Sequence, residues 1–246
     1  MEVHQHTHTP RKKWTHYFWE FLMLFLAVTL GFFVENQREH YIEQRREKQF
    51  MRSMKKDLEM DTTIINRQLR FFNRNNTRLD SLIYLLNDPD IKTKTADVYF
   101  LAREASRISF FIYTDRTINQ MKNSGAFRLI SKPQVADSII DYYRTITDAI
   151  KKMEDAEIHE IEEFRKLTVL IFDPRIFDSL FTETGGLKRP AGNPPLQTYD
   201  PRQLMALSGW VHYIKTARFL MTLIKNEVKN KAINLIELLK KEYHIE

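Results

Sequence analysis

From Tyr17 to Val34 the chain reads YFWEFLMLFLAVTLGFFV, an almost unbroken apolar run with a single carboxylate, Glu20, near its start. Counted from Trp14, the run covers roughly 21 residues, or about 31 Å of helix, which matches the hydrocarbon core of a bilayer. Two other uses of such a run fit less well. A cleaved signal peptide passes from its apolar core into small residues, whereas this run leaves through Gly31-Phe32-Phe33-Val34 into Glu35-Asn36-Gln37-Arg38. The core helix of a soluble protein is amphipathic, whereas Phe21 to Val34 is apolar all round except at Thr29 and the small Ala27 and Gly31. The sequence therefore predicts a transmembrane helix over 14–34, with Trp14, Tyr17 and Trp19 as an interfacial aromatic belt.

On either side of that helix the predicted organisation is a disordered cytoplasmic tail over 1–13 and one helical extramembrane domain over 35–246. The formal charge is +6, but acids and bases alternate, as in HYIEQRREKQFMRSMKKDLEMD. Interleaved charge is the pattern of a solvated helix, and nucleic-acid binding calls for a one-signed stripe, so no nucleic-acid partner is expected. The basic flank beside the membrane is suited to lipid headgroups. With no cysteine in the chain, disulfides and thiol chemistry are excluded.

The fold class expected is all-α, with the transmembrane helix continuing into an antiparallel bundle of long helices. Neither Gly nor Pro occurs from Glu35 to Leu86, and Met51, Leu58, Ile65, Phe72, Leu79 and Leu86 recur every seventh residue. The neighbouring positions Asp61, Gln68 and Asn75 are polar, which predicts a narrower apolar stripe there. A second helix is expected from about Thr95, then a short strand or buried bend at Phe110-Phe111-Ile112-Tyr113, and a helical piece over Thr114–Ser124. Ser131 is read as the N-cap of a long helix with Pro133 in its first turn, running to Asp173-Pro174. The stretch 182–200, rich in Gly and Pro, reads as a functional or mobile loop. Asp200 and Pro201 open a last helix, with Lys225, Lys229, Lys231, Lys240 and Lys241 keeping the C-terminal third soluble.

No motif names a reaction. His159-Glu160-Ile161-Glu162-Glu163 lacks the second histidine of a zinc-protease helix and reads as a charged outer face. His4, His6 and His8 alternate in a polar tail, without a carboxylate to complete a coordination shell. Asp57 and Asp61 stand one helical turn apart, a spacing able to hold a cation or work as acid and base, though exposed acids beside Arg52, Lys55 and Lys56 are more often salt-bridge partners. No catalytic residue, metal or cofactor is assigned. Glu20 lies about 9 Å into the span, where a carboxylate either snorkels toward Arg11, Lys12 or His16 or makes a polar contact with a second membrane helix.

The turn Asn123-Ser124-Gly125-Ala126-Phe127-Arg128 is the remaining candidate site. Gly125 is predicted to take a positive φ and stop a helix. Arg128 is predicted to reach Asp61 and clamp the turn to the first long helix.

Several of these segments share an order with known sequences. Glu20 opening the apolar run to Glu35-Asn36, Asp57-Leu58-Glu59-Met60-Asp61, TDRTINQMKNSGAFRLI from Thr114 and Ile140-Asp141-Tyr142-Tyr143 together resemble a bacterial family of single-pass membrane proteins catalogued as a domain of unknown function. The resemblance covers about the first 145 residues and departs at Asn36-Gln37-Arg38, where members often carry Asn-Trp-Asn. It implies a bacterial inner-membrane protein and no particular activity. Arg11, Lys12 and Lys13 outnumber the bases just after the span, which predicts a periplasmic C-terminal domain. The function expected is an interaction or scaffold component of the cell envelope, meeting a protein partner or a second copy through its helix seams. A ligand-binding, sensor-like domain working with a partner is the alternative.

Overall fold

The computed structural model describes residues 14–246. The expectations for the histidine tail and for Arg11, Lys12 and Lys13 lie outside the described residues. The chain is all-α: the described residues form seven helices, α1 (Trp14–Leu86), α2 (Thr95–Ala105), α3 (Arg116–Asn123), α4 (Pro133–Thr145), α5 (Lys151–Ile171), α6 (Pro174–Ser179) and α7 (Pro201–Tyr243), joined by 3₁₀ and π turns and irregular loops. Among the described residues the only extended pairing is one bridge, Phe181 to Leu187.

Contacts divide the chain at Gln49. In the first unit, α1 carries the apolar run, which is long and apolar enough to cross a membrane, and none of its apolar window is buried within the chain. Phe21 and Phe25 stack one turn apart. Glu20 is paired with His16, Nε2 to Oε1 at 2.9 Å, one of the partners the sequence offered for snorkelling. Just past the run, Arg38 forks onto Glu35 at 2.6 and 3.0 Å.

The second unit, from Phe50 to Glu246, is the bundle. Met51, Met54, Leu58, Asp61, Ile65, Gln68, Phe72, Asn75, Leu79, Leu82 and Leu86 of α1 are all buried. The stripe is thus no narrower at Asp61, Gln68 and Asn75, contrary to the sequence reading; the polar side chains are enclosed with the apolar ones. Two apolar clusters result. One gathers Leu58, Ile65 and Phe72 with Ile139, Tyr142, Tyr143, Val228 and Leu235. The other gathers Leu79, Leu82 and Leu86 with Val98, Tyr99, Phe164, Phe172, Leu207 and Ile214.

Helix ends follow local chemistry. Asp173 and Asp200 each accept a hydrogen bond from the backbone N–H two residues on, at 2.9 Å, with Pro174 and Pro201 at the first helical position. Lys132, and not Ser131, is the N-cap of α4, with no side-chain bond; Pro133 starts the helix, its missing N–H leaving one orphan donor fewer. A π turn, Ile146–Ile150, joins α4 to α5. Residues 107–115 are irregular and form no strand. The 182–200 loop is tied down along α2: the Tyr99 hydroxyl donates to the Pro195 carbonyl at 3.1 Å, the Asn193 side chain accepts from Ala96 N–H at 3.3 Å, and Arg189 pairs with Asp97.

Candidate functional site

Asp57 and Asp61 face inward from α1, so they are not the exposed salt-bridge partners of Arg52, Lys55 and Lys56 that their spacing implied. Lys55 pairs instead with Glu59. Both acids receive the segment that leads into α3. Asp57 Oδ1 accepts from Arg116 Nη2 at 2.6 Å, and its Oδ2 accepts from Thr117 N–H at 3.0 Å and from the Thr117 hydroxyl. Asp61 Oδ1 accepts from Thr114 N–H at 2.6 Å, and Oδ2 accepts from the Tyr142 hydroxyl at 2.7 Å. Tyr143 closes the group by donating to the Thr114 carbonyl at 3.2 Å. Every carboxylate oxygen of the pair is therefore occupied.

The electrostatics follow from burial. Asp61 has no exposed surface, and desolvation lifts its pKa despite the opposing bonds from Tyr142 and Thr114. Burial, then the charge of Asp61, raises the Tyr142 and Tyr143 hydroxyls well above the ordinary tyrosine range, so both stay protonated as donors. Chemically the arrangement is a latch: two acids on one helix hold the N–H and hydroxyl groups of a segment more than 50 residues away. A backbone N–H bonded to a carboxylate is a charge-assisted bond, roughly twice as strong as a neutral one.

The latch does not include Arg128. That side chain is exposed and makes no ion pair or side-chain hydrogen bond among the described residues. It sits on a 3₁₀ turn, Ala126–Leu129, and Asp61 is already filled by partners that need less reach. Gly125 has φ +67°, as its position after α3 required, and Ser124 donates to the Gln120 carbonyl at 2.7 Å; Asn123 is exposed. Next to this turn a groove of about 600 Å³ is lined by Ile118, Lys122, Phe127, Ile139, Tyr143 and Arg144.

A second polar group lies where the two apolar clusters meet. On each long helix the change from one cluster to the other falls at a buried polar residue: Asn75 on α1, Glu157 on α5 and Arg218 on α7. Arg218 donates from Nε to Glu157 at 2.8 Å and from Nη2 to the carbonyls of Ala105 and Arg107 at 3.1 and 2.7 Å. Lys225, read from sequence as solubilising, is fully buried, with Nζ 4.3 Å from the centre of the Phe72 ring and no hydrogen-bond partner. Burial depresses its pKa to about 8, although Glu154 and Glu157 act the other way. Glu154 accepts the Phe111 N–H at 2.6 Å, and Gln68 donates to the Phe110 carbonyl at 2.6 Å. Glu160 belongs to the stretch read as a charged outer face, and burial raises it to about 6; Glu157, just before that stretch, is buried.

Sequence reasoning found Asp57 and Asp61 but missed Thr114, Arg116, Thr117 and Tyr142, whose partners are set by chain crossing and not by spacing. Arg218 and Lys225 did leave a signal. Leu204, Val211, Arg218, Lys225, Ala232 and Leu239 repeat every seventh residue on α7, and all are buried. Among known proteins, no family model matches the chain, and neither a curated protein nor a solved structure does.

Proposed function

We propose that the chain is a single-pass, membrane-anchored interaction or scaffold component of the bacterial cell envelope, with its helical domain on the periplasmic side. The observation that carries this reading is the outer face of α7. From Met205 to Leu223 the exposed residues are Met205, Ala206, His212, Tyr213, Thr216, Phe219, Leu220 and Leu223, without one Lys, Arg, Asp or Glu among them. In a chain that is 28% charged, an uncharged stripe of about 27 Å calls for a cover. Phe219 and Leu223 are more than half exposed. The apolar run of α1 supports the anchor, and the family resemblance supports the bacterial setting.

A helix-wide stripe is smaller than the roughly 800 Å² per partner of a stable complex in solution. Confinement to one membrane raises effective concentration enough to make such a contact persist. Because the chain has no cysteine, Leu220→Cys can be crosslinked in native membranes with a short bis-maleimide. A discrete adduct at Leu220, identified by mass spectrometry as a second copy or one envelope protein, and none at the control Asn234→Cys, is the expected result. Equal labelling without adduct at both positions would remove the support. The ligand-binding, sensor-like alternative draws on the groove beside the Asn123-Ser124-Gly125 turn, and a melting temperature raised by a small metabolite would favour it.

A further inference from the structure

Most cations lodged in the bundle answer to an acid: Arg78 reaches Glu104 at 2.6 Å and Arg218 reaches Glu157 at 2.8 Å. Arg103 of α2 and Arg165 of α5 do not. Neither meets a carboxylate within 4.0 Å among the described residues, yet both line one cavity of about 300 Å³, with Val169, Phe172, Phe177 and Asp178. Arg103 is partly buried, and its Nε is sealed from solvent without a hydrogen-bond partner. Its guanidinium lies over the rings of Phe181 and Phe177, 4.5 and 5.3 Å from their centres. A guanidinium stacked on rings bonds through its edge, and with Nε–H enclosed that edge is the pair of Nη groups. Arg165 is fixed by one bond, Nη2 to the Ser106 carbonyl at 2.7 Å, which leaves its other N–H groups available.

We propose that this cavity binds a small organic monocarboxylate, its carboxylate taken by Arg103 and Arg165 and its apolar body resting on Val169, Phe172 and Phe177. Charge selects the valence. Two guanidiniums and the Asp178 carboxylate leave one net positive charge, which a monoanion neutralises and a dianion overshoots. Burial and the neighbouring Arg165 both work against the charge on Arg103, and a carboxylate bound to its Nη groups relieves both. Size excludes long acyl chains, since 300 Å³ is at the small end of ligand pockets. The site lies apart from the α7 stripe and from the groove beside Gly125, and its fate is independent of both.

The test uses the full chain in lipid nanodiscs, titrated with 4-fluorobenzoate and followed by ¹⁹F line broadening, with empty nanodiscs as the blank. Saturable broadening beyond the blank, displaced by unlabelled benzoate but not by inorganic phosphate or 4-fluorobenzamide, is expected. Arg165→Gln, at an exposed position, should keep the melting temperature and weaken binding by about tenfold or more, the scale of one lost charge-assisted pair. Arg103→Gln should weaken it at least as much, and Asp178→Asn should tighten it. Broadening no greater than the blank overturns the proposal, as does unchanged affinity in Arg165→Gln. Benzamide binding as tightly as benzoate, or displacement by phosphate, overturns it equally, because neither charge nor the apolar body would then be read.

Discussion

The Tyr142 hydroxyl of α4 donates to Asp61 Oδ2 of α1 at 2.7 Å, across 81 residues of sequence and with both side chains wholly buried. Removing the donor leaves a desolvated carboxylate with one bond fewer. Tyr142→Phe is therefore expected to destabilise the bundle by about 1–3 kcal/mol, read by chemical denaturation. In double-mutant cycles Asp61→Asn should couple to Tyr142→Phe by more than about 0.5 kcal/mol and be additive with Arg128→Gln. The opposite pattern would restore Arg128 to the latch.

Asp61 also makes a pH prediction. Its pKa is raised on folding, so the native state holds the proton to higher pH than the unfolded chain does. The stabilisation this gives is fully present below the unfolded value, near 3.8, and is lost as pH rises through the native one. Asp61→Asn should flatten that part of the curve, which a comparison of wild type and variant between pH 4 and 7 would reveal.

Lys225 has the reverse sign of effect in a different window. Its pKa falls from 10.5 to about 8 on folding, so the unfolded chain binds the extra proton between those values and stability should rise with pH there. The full difference is on the order of 3 kcal/mol. Lys225→Met should remove the rise and leave the protein more stable at pH 7. A wild-type profile that already matches the variant's between pH 8 and 10 would show that the ammonium is better solvated than its burial indicates.

Arg218 is the cation whose loss should cost most. Truncation to Ala strands Glu157 without its partner and frees the Ala105 and Arg107 carbonyls, a change worth about 3–5 kcal/mol. Arg218→Met combined with Glu157→Met should recover a large part of that loss, because no unpaired charge then remains. Thermal melts of the single and double variants check both statements.

For Gly125 the expected cost is purely conformational. A Cβ there would meet no atom within 4 Å, but φ is +67°, so Gly125→Val should lose about 1–2 kcal/mol and Gly125→Asn clearly less. Equal costs for the two would point to packing and not to the left-handed backbone.

What the sequence disclosed divides along physical lines. The apolar run, the seven-residue spacing on α1, the stop at Asp173-Pro174, the Asp-Pro start of α7 and the left-handed Gly125 are local and legible. Asp61 was recognised as a flaw in an apolar stripe, but its partner was misassigned to Arg128, because an arginine attracts an acid on paper and a backbone N–H leaves no mark in the sequence. Lys225 was misread for a related reason: composition counts a lysine as solvated, and only its place in the series Leu204, Val211, Arg218, Lys225 shows that it faces inward.

The polar residues between the two apolar clusters set how the long helices align. Apolar layers of similar shape are interchangeable, so a bundle held by leucine and isoleucine alone can shift lengthwise by a turn at modest cost. Here a slip of α7 by one turn would carry Arg218 away from Glu157 and into the neighbourhood of Ile214 or Met221, with its charge unmet. Arg218 thus acts as an indexing pin, admitting one longitudinal setting of α7 against its neighbours.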